Sequence, residues 1–346
     1  MIKYVQKKEI NFGIMKMYLE KTAESNQFTN KGPAKKILEN KIRDIIGISE
    51  DKEVVCVSNG TLALHAIYLF LMRRNNNIKI VSPSFTFPSC DVMFDNVYIE
   101  DICKKTYTLR LDDEIIKKYD VFVITNLFGT YPINIGDWIR VCSERGKTLV
   151  FDNASSPMST FDGNNICNLG DFSFGSLHHT KYMGFGEGGF LVLPKEHRVE
   201  MEELLGFGFK DGVANRKHNR LSSNFKMSDV AAAGILQHLH FYDFERHLAL
   251  QNYFIEKLTT FGEKVKPFNL SDGVFYGNMP VIYKKPISVD HFRRSGIESQ
   301  KYYNPIRDHE ESLLLFERIM NFPLNSSMRS SDIDKIIDVI EETCCE

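Results

Sequence analysis

Short apolar runs separated by helical segments recur between residues 53 and 193, and this alternation is the feature that most restricts the fold. The runs span residues 53–58, 79–82, 97–99, 121–125, 148–151, 172–177 and 190–193. Strands that alternate with helices form a mainly parallel sheet with helices on its faces. Ligands bind such sheets at the carboxyl ends of the strands. The pattern predicts an α/β fold and directs attention to the residues that follow each run.

One stretch, residues 171–190, places a lysine between an apolar strand and a cluster of glycines. Lys181 lies in the polar turn that follows the strand, and the glycines precede the next apolar run. A lysine removed from water loses its proton more easily, and a neutral amine can form a Schiff base with an aldehyde. We therefore interpret Lys181 as the attachment point of pyridoxal 5'-phosphate (PLP), a flat aldehyde cofactor. A surface lysine in a glycine-rich hairpin is the alternative that this stretch alone leaves open.

The same glycines match a dinucleotide-binding fingerprint, because Gly184, Gly186 and Gly189 have the spacing G-x-G-x-x-G. That fingerprint requires a strand before it, a helix after it and an acidic residue about 20 positions further on. A strand-like run follows here instead of a helix. The sequence therefore disfavours a nicotinamide or flavin cofactor.

A possible phosphate site follows the run at 53–58. Gly60 and Thr61 connect that strand to an apolar helix, a geometry that points backbone N–H groups at an anion. The alternative is an ordinary helix cap made by Asn59 or Thr61.

Two further strand ends carry candidate cofactor contacts. Phe87 follows the run at 79–82 and could place its ring against a planar cofactor, although core packing is the commoner use of an aromatic residue. Asp152 ends the run at 148–151 and could pair with a protonated pyridine nitrogen. An ordinary turn formed by Asp152 and Asn153 is the alternative.

Composition narrows the class of protein. A chain of 346 residues is too long for one simple core, so we expect two domains. The net charge of −2 provides no basic field for binding nucleic acid or an anionic membrane. The seven scattered cysteines, without a C-x-x-C pair, favour reduced thiols in a cytoplasmic protein without a structural metal site. We also expect no signal peptide and no membrane span.

The predicted domains are residues 1–240, which bind the cofactor, and residues 241–346, a smaller α+β domain. Residues 1–27 are predicted to form an amphipathic lead-in helix, and an alanine-rich helix from Val230 should continue as far as Phe261. Within the small domain, residues 273–283 are strand-like, and helices are expected at 289–295, 310–320 and 331–342. The segment 206–223 is interpreted as a mobile loop at the site or at an interface; its basic residues are Lys210, Arg216, Lys217 and Arg220.

Taken in order, these segments resemble the sugar aminotransferases of the DegT/DnrJ/EryC1/StrS family, over nearly the whole chain. The resemblance implies the fold-type-I PLP architecture, a mainly parallel mixed sheet flanked by helices. Each motif is individually weak, but their shared order is specific. They are residues 29–33 (TNKGP), 58–64 (SNGTLAL), 83–87 (PSFTF), Asp101, 127–129 (LFG), 152–154 (DNA), 176–181 (SLHHTK), 186–189 (GEGG) and 224–227 (NFKM).

The resemblance implies a role for each matching position. Lys181 would bind PLP and carry protons, with Asp152 beneath the pyridine nitrogen. Further cofactor contacts would come from Gly60, Thr61, Phe87, Ser155, Ser176 and, from the neighbouring subunit of a homodimer, Asn224. Contacts to the substrate would come from Thr29, Asn30, Phe85, His178 and Tyr182.

The implied reaction moves an amino group from L-glutamate to a nucleotide-linked keto-deoxysugar, such as dTDP-4-keto-6-deoxyglucose. The product would enter amino-sugar biosynthesis for surface glycans such as lipopolysaccharide, or for related glycosides. Relatives that carry histidine in place of the lysine are dehydratases, so Lys181 favours transamination. A PLP-dependent nucleotide-sugar dehydratase and a non-catalytic nucleotide-sugar-binding protein are the alternatives.

The chain departs from the family pattern at two motifs. The family reads D-A-A-Q or D-A-A-H where this chain has DNAS at residues 152–155, so Ser155 replaces a residue that covers the second face of the cofactor. The histidine that usually precedes Leu-Phe-Gly is Asn126. These departures leave the sugar and its position of amination open.

Overall fold

The computed structural model describes residues 1–210, 213–214 and 221–345. Arg216, Lys217 and Arg220 of the predicted basic loop lie outside the described residues. The helices are α1 (Phe12–Ser25), α2 (Pro33–Ile46), α3 (Gly60–Arg74), α4 (Asp113–Lys118), α5 (Ile135–Glu144), α6 (Arg198–Leu205), α7 (Asp229–Phe241), α8 (Phe244–Thr259), α9 (Val289–Arg294), α10 (Glu310–Arg318) and α11 (Ser330–Cys345). The strands are β1 (Lys52–Val57), β2 (Ile80–Pro83), β3 (Val97–Glu100), β4 (Val121–Thr125), β5 (Thr148–Asp152), β6 (Thr160–Phe161), β7 (Asn164–Asn165), β8 (Phe172–Ser176), β9 (Gly189–Pro194), β10 (Phe209–Lys210), β11 (Val213–Ala214), β12 (Val265–Pro267), β13 (Met279–Tyr283) and β14 (Ile319–Phe322).

Within the described residues, seven strands form the central sheet in the order β1-β9-β8-β5-β4-β2-β3. Strand β9 is antiparallel to both of its neighbours, and the other adjacent pairs are parallel. Parallel neighbours need a crossover connection, usually a helix, whereas residues 177–188 between β8 and β9 form turns. The short connection therefore explains the reversed strand, and the predicted mainly parallel mixed sheet is confirmed.

Both faces of this sheet are covered, as its continuous apolar strands require. Side chains of β4 alternate between two hydrophobic clusters. Phe122 and Ile124 pack with Trp138 of α5 on one face, and Val121 and Val123 pack with Phe70 of α3 on the other. This alternation holds the carboxyl ends of the strands at one edge of a rigid layer.

A smaller antiparallel sheet, ordered β12-β13-β14, forms the centre of the C-terminal domain. The strand-like run at 273–283 contributes only Met279–Tyr283, and residues 319–322 form β14 instead of the end of a helix. The uninterrupted helix predicted from Val230 to Phe261 is wrong, because α7 ends at Phe241 and the side chain of Asp243 caps α8. The division between residues 240 and 241 stays a proposal, and it falls next to this break.

The lead-in helix predicted for residues 1–27 begins only at α1, where the Asn11 side chain accepts the N–H of Ile14. Residues 2–11, here called the N-terminal strap, lie before it and outside any helix. The Ile2 N–H donates to the Gly296 carbonyl at 2.8 Å, and the Asn11 N–H donates to the Gln237 side chain at 3.0 Å. The strap thus runs from the small C-terminal domain to α7.

The helices of the described residues include none with the length and apolar character needed to span a bilayer.

Candidate active site

A cavity of about 520 Å³ lies at the carboxyl ends of β5 and β8. Lys181 and Asp152 both line it, together with the start of α3. The strap and three loops of the C-terminal part of the chain close its other sides. The cavity therefore lies where a mainly parallel sheet is expected to bind a ligand.

Asp152 ends β5, which lies between β4 and β8 in the sheet, and its side chain is only 7% exposed. Its Oδ1 atom accepts the backbone N–H of Ala154 at 2.9 Å. Burial raises the pKa of Asp152 to about 6, against the opposing effects of this hydrogen bond and of Lys181. The protein thus holds a carboxylate in a place that favours a cationic partner.

Lys181 lies in the turn between β8 and β9 and is half-buried. Burial lowers the pKa of Lys181, and the charge of Asp152 opposes the shift. Removal from water therefore favours the neutral amine, which is the nucleophilic form. Two ionisable groups in one cavity, one with a raised pKa and one with a lowered pKa, are typical of a functional site.

The start of α3 gives the cavity its anion-binding character. The Asn59 side chain caps the helix by accepting the N–H of Leu62 at 2.9 Å. The helix cap that was the alternative interpretation of this turn is therefore also present. The N–H groups of Gly60 and Thr61 lie in the first turn, where a helix offers no internal acceptor. A Cβ atom added to Gly60 would lie 3.1 Å from the Cβ of Ser176, so glycine allows the helix to start against β8.

These groups fit PLP. One cavity contains an amine for its aldehyde, a buried carboxylate for its ring nitrogen and a helix N-terminus for its phosphate. Most of the candidate residues line it, namely Gly60, Thr61, Phe87, Asp152, Ser155, Ser176, His178, Lys181 and Tyr182. Their individual roles stay predictions.

The two aromatic residues after β2 have different environments. Phe87 is 54% exposed and lines the cavity. Phe85, predicted to contact the substrate, is 0% exposed and packs with Ile102 and Leu127 in the core, outside the cavity lining. The structure thus gives Phe85 the core role that is commoner for an aromatic side chain.

Other predicted substrate contacts also differ from the expectation in this single chain. Thr29 and Asn30 are exposed in the turn before α2 and do not line the cavity. Asn224, which the resemblance places at the cofactor of the neighbouring subunit, is exposed and lies outside the lining of its own chain's cavity, where it forms an isolated bridge with Gly206. Its predicted role stays a prediction. Tyr182 reaches the cavity, but its hydroxyl group is hydrogen-bonded to Ser156 at 2.8 Å, which leads its ring into the interior.

Sequence reasoning missed the part of the lining that comes from the C-terminal domain. Tyr303 stacks on Phe128 with ring centroids 5.7 Å apart, and its ring lies edge-on to Phe87 at 6.4 Å. Its hydroxyl group meets that of Ser155 at 3.1 Å. Tyr302, Asn278 and other residues of this domain also line the cavity. No local pattern distinguishes these residues from other polar loop residues.

Sequence reasoning also missed the strap, from which Tyr4, Gln6 and Lys8 line the cavity. Their spacing of two is the signal that could have found them, since alternate residues of an extended segment share a face. The Lys8 ammonium group donates to the carbonyls of His179 at 2.6 Å and Lys181 at 2.5 Å, and also to that of Gly184. A residue near the N-terminus therefore contacts the turn that carries Lys181.

Comparison with known proteins gives a consistent result. The model of the DegT/DnrJ/EryC1/StrS aminotransferase family matches residues 14–341. The strap residues Tyr4, Gln6 and Lys8 therefore precede the matched range. A similar curated protein is the dTDP-4-amino-4,6-dideoxy-D-glucose transaminase of Shigella dysenteriae, 23% identical over 94% of this chain and 94% of its own.

Two solved structures share the fold. The sugar aminotransferase CalS13 of Micromonospora echinospora has a TM-score of 0.82 at 17% identity, over 99% of this chain and 100% of its own. DesI in the presence of its TDP-sugar product has a TM-score of 0.78 at 20% identity, over 99% of this chain and 93% of its own. The predicted fold-type-I architecture is confirmed.

The buried carboxylate leads to a prediction about stability. In the cofactor-free protein, Asp152→Asn should raise the free energy of unfolding at pH 8, because the amide carries no charge that must leave water. Asp152 has a pKa of about 6 when folded, against about 3.9 when unfolded, so its burial becomes unfavourable as the pH rises between these values. The difference should be on the order of 3 kcal/mol at pH 8 and about half of that at pH 5.

Urea unfolding of both proteins at the two pH values would measure this difference. Asp44→Asn, at an exposed position of α2, is the matched control and should change neither value. Equal stability of Asp152→Asn and the parent protein at pH 8 would contradict the prediction.

Proposed function

Because the chain belongs to the DegT/DnrJ/EryC1/StrS aminotransferase family, we propose that it moves an amino group from L-glutamate to a nucleotide-linked keto-deoxysugar. It is a PLP-dependent sugar aminotransferase. The observation that carries the proposal is the meeting of Lys181, Asp152 and the N-terminus of α3 in one cavity. The dTDP-linked amino sugar in the name of the Shigella relative and the TDP-sugar product present with DesI support dTDP-4-keto-6-deoxyglucose as the substrate.

Three parts of the cavity would hold the cofactor. The N–H groups of Gly60 and Thr61, with the Ser176 hydroxyl group, would bind its phosphate at the positive end of α3. The exposed ring of Phe87 would cover one face of the pyridine ring. Lys181 would hold the aldehyde carbon, and this fixes the cofactor at both ends.

PLP, when bound, supplies an aldehyde that captures an amine and a ring that accepts the electron pair left when the neighbouring carbon loses its proton. Lys181 would take that proton and return it on the other side, since its lowered pKa allows it to act as both base and acid. Asp152 would hold the proton of the pyridine nitrogen through a buried ion pair. This pairing would also lower the pKa of Asp152 again, because an adjacent cation favours the carboxylate.

The remaining lining suits a deoxysugar. The ring of Tyr303 gives the cavity an apolar surface against which C–H groups of a pyranose can pack. The volume of about 520 Å³ lies within the range of small-molecule sites. Asn278 and Asn325 place amide groups on the same lining, and these could hydrogen-bond hydroxyl or keto oxygens.

Transamination is favoured over dehydration because the two histidines beside Lys181 are engaged in the turn. The His178 ring is 2.9 Å from the Thr180 hydroxyl group and 3.5 Å from Glu187. His179 does not line the cavity, and its ring packs edge-on against Phe185 at 6.1 Å. Lys181 is thus the amine of this turn, and its lowered pKa suits it to proton transfer.

A homodimer is proposed because Asn224 lies at the surface of its own chain, away from its own cavity. Several large apolar side chains of α1 and α7 are also exposed, which is typical of a contact surface. They are Phe12, Met17, Val230 and Phe241. We further propose that the reaction is cytoplasmic and supplies amino sugars for surface glycans such as lipopolysaccharide. The scattered cysteines support a reducing compartment.

Incubation of the PLP-loaded enzyme with L-glutamate and a small panel of nucleotide keto-sugars tests the proposed reaction. We expect 2-oxoglutarate and an amino-sugar nucleotide in equal amounts, with dTDP-4-keto-6-deoxyglucose as the preferred acceptor. Mass spectrometry of the sugar nucleotide separates the alternatives, because a dehydratase removes an oxygen without adding nitrogen. A product that has lost oxygen without gaining nitrogen, or no product from any acceptor, would contradict the proposal.

Reduction of the PLP-loaded protein with borohydride should fix the cofactor on Lys181, because this turn supplies the amine to the cavity. Peptide mass mapping would locate the adduct. Lys181→Ala should keep the fold but lose turnover, since it removes both the attachment point and the proton carrier. Lys195→Ala, at an exposed position after β9, is the control and should retain the adduct. An adduct on another lysine would disprove the assignment.

Mixed dimers test whether sites are shared between subunits. Lys181→Ala should be inactive, and Asn224→Asp should be inactive if its new carboxylate repels the phosphate. When the neighbour supplies Asn224, one site of a mixed dimer receives both defects and the other receives none, so activity returns. The variants must be co-expressed, and the mixed dimer must be verified. No recovery of activity in that dimer would remove Asn224 from the neighbouring site.

A further inference from the structure

The N-terminal strap forms one wall of the cavity and is fixed at both ends. At the small domain, the Lys3 ammonium group contacts the Glu298 carboxylate at 2.5 Å, and the Tyr4 N–H donates to the same carboxylate at 3.0 Å. At α7, Gln237 accepts the N–H of Asn11 and donates to the Glu9 carbonyl. Because both ends are bound, the residues between them have a defined position over the cavity.

Within the strap, Lys8 makes contacts that differ from those of its neighbour Lys7. Lys7 is exposed and lies 3.5 Å from the equally exposed carboxylate of Glu9. Lys8 instead points inward, and its ammonium group donates to the carbonyls of His179, Lys181 and Gly184. These carbonyls belong to the turn that carries the PLP-binding lysine.

The chemistry of the contact matches an ammonium group. Lysine carries three N–H donors when protonated, one for each of the three carbonyls, and only two when neutral. Burial lowers the pKa of Lys8 to about 7, which means that the charge is held away from water at a cost. The negative ends of the three carbonyl dipoles converge on this position, and they favour the protonated form that burial opposes.

The turn also makes hydrogen bonds of its own, including those from the His179 N–H to the Gly186 carbonyl at 2.7 Å and from the Lys181 N–H to the His178 carbonyl at 2.8 Å. The Gly184 N–H donates back to the Lys181 carbonyl at 2.9 Å, and a Cβ at Gly184 would overlap the carbonyl oxygen of His178. The turn is therefore narrow and glycine-dependent, and its three carbonyl oxygens point to one place. Lys8 lies at that place.

We propose that Lys8 is a positioning residue whose ammonium group gathers three carbonyls of the turn and thereby directs the Lys181 amine into the cavity. The proposal rests on the proposed function, in which Lys181 binds PLP. Lys8 acts through the turn and not on the substrate, because its three N–H groups are all used by the carbonyls. The family match begins after the strap, so this role concerns residues of this chain that the match does not reach.

The rate at which cofactor-free protein captures PLP tests the proposal, because it depends on the direction of the Lys181 amine before any turnover. Lys8→Met keeps the length of the side chain and removes its charge and donors. We expect capture to be about tenfold to a hundredfold slower, as a small misplacement of a reacting group can cost this much. Lys7→Met is the matched control on the neighbouring residue and should capture PLP at the parental rate.

A spectroscopic readout separates positioning from loss of stability. The visible absorbance of the cofactor bound at Lys181 should titrate with a shifted pH midpoint in Lys8→Met and with an unchanged midpoint in Lys7→Met. A purely structural role would lower the melting temperature and leave this midpoint unchanged. Equal capture rates and equal midpoints in Lys8→Met and the parent would overturn the proposal.

A second variant decides the question if Lys8→Met does not fold. Lys8→Arg keeps the charge, but its planar guanidinium group cannot direct three N–H groups at one converging set of carbonyls. Lys8→Arg should also slow PLP capture, by a smaller factor than Lys8→Met. Capture at the parental rate would overturn the proposal. If the parent protein itself captures no PLP at Lys181, the proposed function fails and this inference fails with it. If the parent protein captures PLP and the Lys8 variants capture it at the same rate, only the proposed role of Lys8 is refuted.

Discussion

The connection between β8 and β9 is the constraint on which the rest of the site depends. It contains turns instead of a helix that could cross the sheet, and β9 returns antiparallel beside β8. The reversal leaves Lys181 at the carboxyl edge of the sheet, where Asp152 also ends its strand. Glycines make the reversal possible, since a Cβ at Gly189 would overlap the backbone of Asn59. Of the three glycines that imitate a dinucleotide fingerprint, Gly189 thus allows close packing against a helix start, Gly184 lies against carbonyls of its own turn, and Gly186 adopts a positive φ.

Without its cofactor, the site that this turn creates lowers the stability of the folded protein. Burial opposes the charge of Asp152 and of Lys181, and both pKa values shift toward the neutral forms. A cation at the pyridine nitrogen would satisfy the carboxylate, and a covalent bond would use the neutral amine. The features that weaken the cofactor-free protein are therefore those that prepare it for the proposed chemistry, a trade between stability and function that is common in enzymes.

The sequence predicts the central strands well because burial on both faces gives them continuous apolar runs. The bounds of β4 were predicted as observed, and β5 differs by one residue. The strap was predicted as a helix because its own sequence holds no sign of its partners, which lie at Glu298 and in the Lys181 turn. Tyr303 was missed for the same reason, since it reaches the cavity from a loop of the C-terminal domain. Local patterns report local structure, and these contacts join distant parts of the chain.

The departures from the family pattern are also connected in space. Asn126 and Asn153 are both fully buried, and the Asn126 amide donates to the Asn153 side-chain oxygen at 2.6 Å. Asn153 in turn donates to the Cys167 sulfur at 3.3 Å, and the Asn126 N–H donates to the Asp152 carbonyl at 2.9 Å.

An apolar residue at either position alone would leave a buried amide without its partner, at a cost of about 1–3 kcal/mol. The Asn126 side-chain oxygen already lacks a partner within the described residues. The substitutions at 126 and 153 therefore act as one unit beneath Asp152. Ser155 also has a contacting partner, because the hydroxyl group of Tyr303 from the C-terminal domain is within hydrogen-bonding distance of it. The two asparagines thus contact each other and Ser155 contacts Tyr303, so each departing residue should be exchanged together with its contacting partner when its effect on the sugar is measured.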